Sequence, residues 1–328
     1  MTTTAAPNDR ELFLAERRRG IGGSDVAAVL GLDPHKTPYQ LWRDKLGMDD
    51  AQANGAALRR GNFLEPALLA RYAEVVRPAS FEPHVSHQGG WRRGNQDARA
   101  VMADGTRRVV EGKTVTKHVF RNEWGTPWSD EVPDRALCQG LWYGNLDDAD
   151  LIDFAVCVVP DDPDQVLGLT AEEVLKVAEF HVFQASRNPQ LEQEIVEHSH
   201  AFWHRNVLTR VPPEPVGEED VDLRWPRHIT GELAPAEPVM ELLRQYAAVS
   251  DQFNATKKER EQLRERLLLH ARGAEALVAA DGRTPLLTLK TQDRAAHQVA
   301  ASTSRVLRFT KWWAKANPST TPTNETEN

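Results

Sequence analysis

The stretch "RRVVEGKTVTK", residues 107–117, decides how the fold is read. Val109, Val110 and Val115 mark a strand, and a strand's period of two puts Glu111 and Lys113 on one face. An apolar strand that commits a face to a carboxylate and an ammonium is either a solvated face with a local ion pair or part of a site. Taken alone, an isolated Glu-x-Lys is common, and the solvated face is the commoner of the two. The surroundings decide how far the second reading can be taken.

Upstream, "HVSHQGGWRRGNQDARAVMADGTRRVVEGKTV" carries a turn signal at Asp104 and Gly105 between two strand-like runs. Residues 82–120 are expected to be β structure, with 84–96 as a loop and Asp97 across the hairpin from Glu111. Downstream, "VPDRALCQGLWYGNLDD" reads as a helix and "ADLIDFAVCVVP" as a buried strand bounded by Pro160. Residues 171–209 are expected to be helical.

Nearer the N-terminus, "GGSDVAAVLG" is a short helix with Ser24 as N-cap, Asp25 at the positive end of the dipole and Gly31 at the C-terminus. "TPYQLWRDKLG" is a second, opened by Thr37 and Pro38. "GNFLEPALLARYAEVV" is an amphipathic helix with Leu64, Leu68, Tyr72 and Val75 at core spacing. Pro66 is tolerable only in a first turn, which would place Glu65 near the helix start.

Beyond about residue 232, "EPVMELLRQYAAVSDQFNATKKEREQLRERLLLHARG" reads as one long helix or a helical hairpin, and "TPLLTLKTQ" as a strand. The tail 316–328 is too polar to pack and is expected to be disordered. The resulting division is 1–230 for the main domain, 231–315 for an extension and 316–328 for the tail.

The bounds agree with a soluble α/β protein. The chain has 328 residues, 40% of them hydrophobic, which suffices for a sizeable core. No run of the sequence is long and apolar enough for a membrane span, and a cytoplasmic location is the default. Cys138 and Cys157 lack metal spacing and read as reduced core thiols, too few for an iron–sulfur cluster. The net charge of −8 argues against a general nucleic-acid coat protein. Arginines nevertheless cluster at 17–19, 59–60, 92–93 and 107–108, which fits either a basic cleft on an acidic body or ordinary solvated charge.

These residue types suit one chemistry. Phosphodiester hydrolysis uses one or two divalent cations held by converging oxygen ligands. Glu111 supplies one carboxylate, Asp97 a second, and Gly112 a backbone carbonyl, while Lys113 holds or helps deprotonate the attacking water. Each has a plainer reading. Glu65 follows Asn62 at capping-box distance, Gln139 suits an exposed helix face, Asp97 suits a turn, and Trp91, Trp124, Trp128 and Trp142 read as core before they read as base-stacking platforms.

The ordered set is more specific than its parts. "RRRGIGGSDVAAVLGLDPHKTPYQLWRDKLG", "GNFLEPALLARY", "GNQDARAV", "VVEGKTV", "EWG" and "VPDRALCQGLWYGNLDDADLIDFAVCV" follow one another as in the YqaJ-type viral recombinase family. That family is the phage lambda exonuclease-like branch of the PD-(D/E)XK nucleases, and the resemblance covers roughly residues 10–205.

The resemblance implies an α/β PD-(D/E)XK (restriction-endonuclease-like) core, a mixed, mainly antiparallel sheet flanked by helices, with a helical C-terminal extension. It implies Mg²⁺ or Mn²⁺, two ions per site, with Asp97 and Glu111 as metal acids, Gly112 lending its carbonyl, Lys113 as catalytic lysine, Glu65 supporting the second ion and Gln139 beside them. Ser24 corresponds to a serine that holds the terminal phosphate of DNA, with Arg17 or Arg18 sharing the task. The implied activity is digestion of one strand of linear duplex DNA from the 5′ end, with a single-strand annealing recombinase as partner and a trimeric homo-oligomer as assembly. Gly112 departs from the bulky apolar residue usual between acid and lysine. A non-catalytic DNA-binding protein on this fold, or a superfamily nuclease acting in host defence or DNA processing, are the alternatives.

Overall fold

Strands β1 (Ser80–Gly89), β2 (Arg92–Val101), β3 (Arg107–Thr116), β4 (Leu151–Val159) and β5 (Glu179–Ser186) form one sheet in that order. Neighbours pair antiparallel except β3 and β4, which run parallel. In this computed structural model residues 14–49, 55–162, 166, 168–227, 236–272, 274–280 and 283–288 are described. The chain divides into two compact units, Met1–Arg224 and Trp225–Asn328.

β4 is the centre of the first unit. Every residue from Ile152 to Val159 is buried, as expected of a strand covered on both faces. Alternation then sorts the core into two layers. Val109, Ile152, Phe154, Val156 and Phe183 face one side, against helices α1 (Gly23–Val29) and α2 (Pro38–Lys45) and the helix Asp134–Asp147. Ala98, Ala100, Val110, Ala155 and Cys157 face the other, against Leu64, Leu68, Leu69 and Tyr72 of helix α3 (Ala56–Val76). Buried Asp153 ties this second layer together, accepting from the Tyr72 hydroxyl at 2.5 Å, Arg108 at 3.0 Å and Gln184 at 2.9 Å. Such a satisfied hub avoids the cost of a lone buried carboxylate.

The connection from β3 to β4 carries α4 (Lys117–Glu123) and α5 (Asp134–Asp147). Then come α6 (Ala171–Val177), β5, α7 (Pro189–Phe202), a π turn (Trp203–Val207) and α8 (Gly217–Arg224). The hairpin turn falls where Asp104–Gly105 placed it, with Gly105 at φ +89° donating to Met102 O. The two cysteines are free and buried, and burial pushes both thiols up to about 11.

Several expectations are corrected. Residues 171–209 are not helical throughout, because Val182, Phe183 and Ala185 enter the core from an antiparallel strand. The segment 84–96 is two paired strands with a tight turn near Gly90, and β structure ends at Thr116, where α4 begins. Helix α3 starts at Ala56, not near Gly61, so Pro66 lies inside it and Glu65 sits mid-helix, far from any capping box. Its buried face carries Leu69, while Val75 is exposed. Trp128 is 59% exposed at φ +67°, outside the core.

The second unit is Trp225–Asn328. It contains a single 32-residue helix, α9 (Met240–Ala271), free of Gly and Pro, which resolves the choice between one helix and a hairpin. A two-stranded sheet follows, β6 (Ala276–Val278) with β7 (Pro285–Thr288). The rest of the expected strand beyond 288 and the tail 316–328 lie outside the described residues.

Candidate active site

Where β3 leaves the core, the face that carried Val109 turns polar. Glu111 is fully buried, and its Oε2 accepts from Lys113 Nζ at 3.0 Å. Lys113 Nζ also donates to Gln139 Oε1 at 3.0 Å, from the middle of α5. Glu111 Oε1 is buried without a hydrogen-bond partner. Burial pushes the Glu111 carboxyl up to about 8; Lys113 opposes this rise, while the nearby Asp97 charge adds to it. Burial also works against the Lys113 ammonium, but Glu111, Asp97 and Glu65 outweigh it and hold the amine above its usual range.

Asp97 arrives from the neighbouring strand. The β2–β3 ladder ends at Ala98–Val110, and one step further Asp97 Oδ2 accepts from Gly112 N at 2.7 Å. Gly112 leaves room for this contact: a Cβ there would lie 3.5 Å from Asp97 Oδ2 and 3.3 Å from Leu68 Cδ2. A Cβ would thus be in ordinary contact with Asp97 and would need the end of the Leu68 side chain to give by a few tenths of an ångström.

Glu65 lies in the same field without joining the cluster. Burial, then repulsion from Asp97, raises its carboxyl above the ordinary range, and its Oε1 is 3.7 Å from His84 Nδ1. Among the described residues no group of three or more His, Cys, Asp or Glu side chains converges to hold a metal ion. Asp97 and Glu111 are two carboxylates, and Mg²⁺, which keeps several waters, is commonly held by one or two. The partnerless, desolvated Glu111 oxygen fits a divalent cation, since a neighbouring positive charge would satisfy it. The Gly112 carbonyl is the backbone oxygen between the acid and the lysine.

The second cluster forms around α1. Its N-cap is Gly22, not Ser24, because Asp25 Oδ2 accepts from Gly22 N at 2.9 Å in a capping-box arrangement. That frees the Ser24 hydroxyl, which accepts from Arg17 Nη2 at 3.2 Å. The same nitrogen donates to Asp25 Oδ1 at 3.1 Å. Arg18 instead donates to Asp44 O on α2, so of the two arginines it is Arg17 that stands beside Ser24. A cavity of about 260 Å³ is lined by Ser24, Asp33, Lys113, Trp124, Arg135 and Gln139, so it connects the two clusters.

Two residues here escaped sequence reasoning. Lys45, buried at the end of α2, donates to Asp25 Oδ2 at 2.6 Å and to Arg17 O at 3.0 Å. Burial alone would raise the Asp25 carboxyl, but Lys45 and Arg17 prevail and hold it well below the usual range. Tyr143, one turn beyond Gln139, packs against Gly23, where a Cβ would lie 2.6 Å from the ring. Burial and the Glu111 charge push its hydroxyl well above the ordinary range. Nothing in the local sequence pairs residues 25 and 45; the only signal was an acidic residue in the first turn of one helix and a lysine in the last turn of the next.

Just beyond the end of the β2–β3 ladder, this mixed, mainly antiparallel sheet with helices on both faces carries Asp97 and Glu111-x-Lys113, the α/β architecture expected from the sequence. Residues 12–144 match the model of the YqaJ-like viral recombinase domain. The protein YqaJ of Bacillus subtilis (strain 168) is 30% identical over 140 residues, an alignment spanning 41% of this chain and 41% of that relative. Among solved structures, the alkaline exonuclease LHK-Exo from Laribacter hongkongensis is 18% identical with a TM-score of 0.39, over 61% of this chain and 94% of that one. A phage-related exonuclease from Haemophilus somnus 129PT is 14% identical with a TM-score of 0.42, over 58% and 96%.

Proposed function

We propose that this protein is a divalent-metal-dependent deoxyribonuclease of a phage-type recombination system, an exonuclease that digests one strand of linear duplex DNA from the 5′ end. The observation that carries the reading is the buried Glu111 carboxylate, with one oxygen on Lys113, the other without a partner, and Asp97 beside it. A buried acid held next to a second acid is costly unless a cation compensates it. The viral recombinase domain over residues 12–144 supports the same reading.

Within it, Asp97, Glu111 and the Gly112 carbonyl would hold Mg²⁺ or Mn²⁺, with Glu65 close enough to influence a second ion through water. Such an ion supplies Lewis acidity toward the phosphoryl oxygen and toward water. Lys113, oriented by Gln139 and kept charged by the surrounding carboxylates, places an ammonium where negative charge develops on the scissile phosphate. Ser24, on the wall of the shared cavity, and Arg17 beside it would take the terminal 5′ phosphate, with arginine offering the charge and serine a hydroxyl. The substrate is a double-stranded DNA end, the product a 3′ single strand for an annealing recombinase. A homotrimer and a cytoplasmic location complete the proposal; among the described residues no helix is long and apolar enough to cross a membrane.

The test uses linear duplex DNA labelled separately at each end, with and without 5′ phosphate, in Mg²⁺, Mn²⁺ or EDTA. Metal-dependent release from the 5′ end, lost in Glu111→Ala and Lys113→Ala, is expected. Cleavage that survives in Glu111→Ala would remove the proposed site, and binding without cleavage under every metal would leave a DNA-binding protein.

A further inference from the structure

Away from the candidate nuclease site, helix α7 ends in a π turn, Trp203–Val207. Such turns hold more residues per turn than an α-helix and recur at functional sites. His200 and His204 straddle the junction, and their rings lie 4.1 Å apart at 31°. Extra residues in the turn bring side chains four apart closer to one azimuth. Both imidazoles are exposed, and among the described residues neither forms a hydrogen bond or ion pair.

Trp91 backs the pair edge-on, 5.4 Å from the His200 ring and 6.3 Å from the His204 ring. Trp91 is itself wedged against Trp142, so this wall belongs to the core. Together with Glu197, Ala201 and Arg205 the three rings line a hollow of about 340 Å³. Two imidazoles at i and i+4 on one helix face are the ligand spacing that grips a transition metal.

We propose that His200 and His204 form a second metal site, distinct from the nuclease centre and selective for borderline transition ions. The ligand class is Cu²⁺, Ni²⁺ or Zn²⁺, which favour imidazole nitrogen, and not the hard Mg²⁺ ion, which favours oxygen. Two coordination positions come from the protein and the rest from solvent, with Glu197 contributing charge at the rim. Bound metal clips the last α turn to the π turn and stabilises the folded state by linkage.

Thermal unfolding of the full chain with CuSO₄, NiCl₂ or ZnCl₂ tests this. In a Glu111→Gln background, which removes the nuclease centre's own ion, the expected result is an upward Tm shift that grows with metal concentration, is largest for Cu²⁺, and disappears on adding His200→Ala or His204→Ala. Adding His198→Ala, whose ring is already engaged by Glu194 O, keeps the shift. Cu²⁺ also quenches tryptophan emission, and Trp91→Phe removes most of that quenching. The proposal is overturned if the shift survives on adding His204→Ala, or if no ion shifts Tm in the Glu111→Gln background, which would assign any wild-type shift to the nuclease site.

Discussion

Glu111→Gln separates the stability of this protein from its function. In the metal-free protein the buried carboxyl titrates near 8, well above the 4.5 of an exposed glutamate, chiefly through burial. The folded state therefore holds the proton more tightly than the unfolded one. Stability from this group is complete below about pH 4.5 and is lost as pH rises toward about 8. The slope for one proton is about 1.4 kcal/mol per pH unit, so the loss between about pH 5 and about pH 7 approaches 3 kcal/mol. Glutamine keeps the shape, keeps an acceptor for Lys113 and does not titrate. Urea unfolding in EDTA, compared between the wild type and Glu111→Gln at several pH values, cancels the other groups. The variant should gain on the wild type steadily as pH rises, while Mg²⁺ restores the wild type and barely affects the variant. A pH-independent difference would refute the reasoning, because Glu111 would then be as well solvated folded as unfolded.

Asp25→Asn leaves Lys45 buried without a counter-charge and should cost about 3–5 kcal/mol, read as a fall in Tm, with partial recovery on adding Lys45→Met; a cost under about 1 kcal/mol would show the pair is not desolvated. Gly23→Ala sets a methyl 2.6 Å from Tyr143 Cζ and should cost about 1–3 kcal/mol in chemical unfolding, whereas a neutral result would mean α1 can withdraw from α5 freely. Ser24→Ala should reduce the preference for 5′-phosphorylated over unphosphorylated ends without ending cleavage, and an unchanged ratio would count against the terminal-phosphate role.

Local patterns carried much of the layout into view. The alternation in "RRVVEGKTV", the Asp104–Gly105 turn and the continuous apolar run of β4 are short-range signals, and each element stands where its pattern put it. Glu111 and Lys113 share a face for the same reason, and their facing Asp97 follows from hairpin register. β5 was missed because its alternation lies between two helical stretches and becomes decisive only when β4 offers an edge. The start of α3 was missed because Pro66 argues against a helix interior locally, while packing of Leu64, Leu68, Leu69 and Tyr72 on the sheet outweighs one lost hydrogen bond.

The sequence by itself therefore determined which residues could be charged, which strand face they share and where the Asp104–Gly105 turn falls, since those depend on neighbours a few positions apart. Only the tertiary structure decided that Glu111 is desolvated, that Gln139 orients Lys113, that Arg17 and not Arg18 meets Ser24, and that Lys45 lies beneath Asp25. Burial and long-range ion pairing are properties of the packed whole: a side chain's dielectric surroundings come from helices and strands far away in the chain, and no local pattern encodes them.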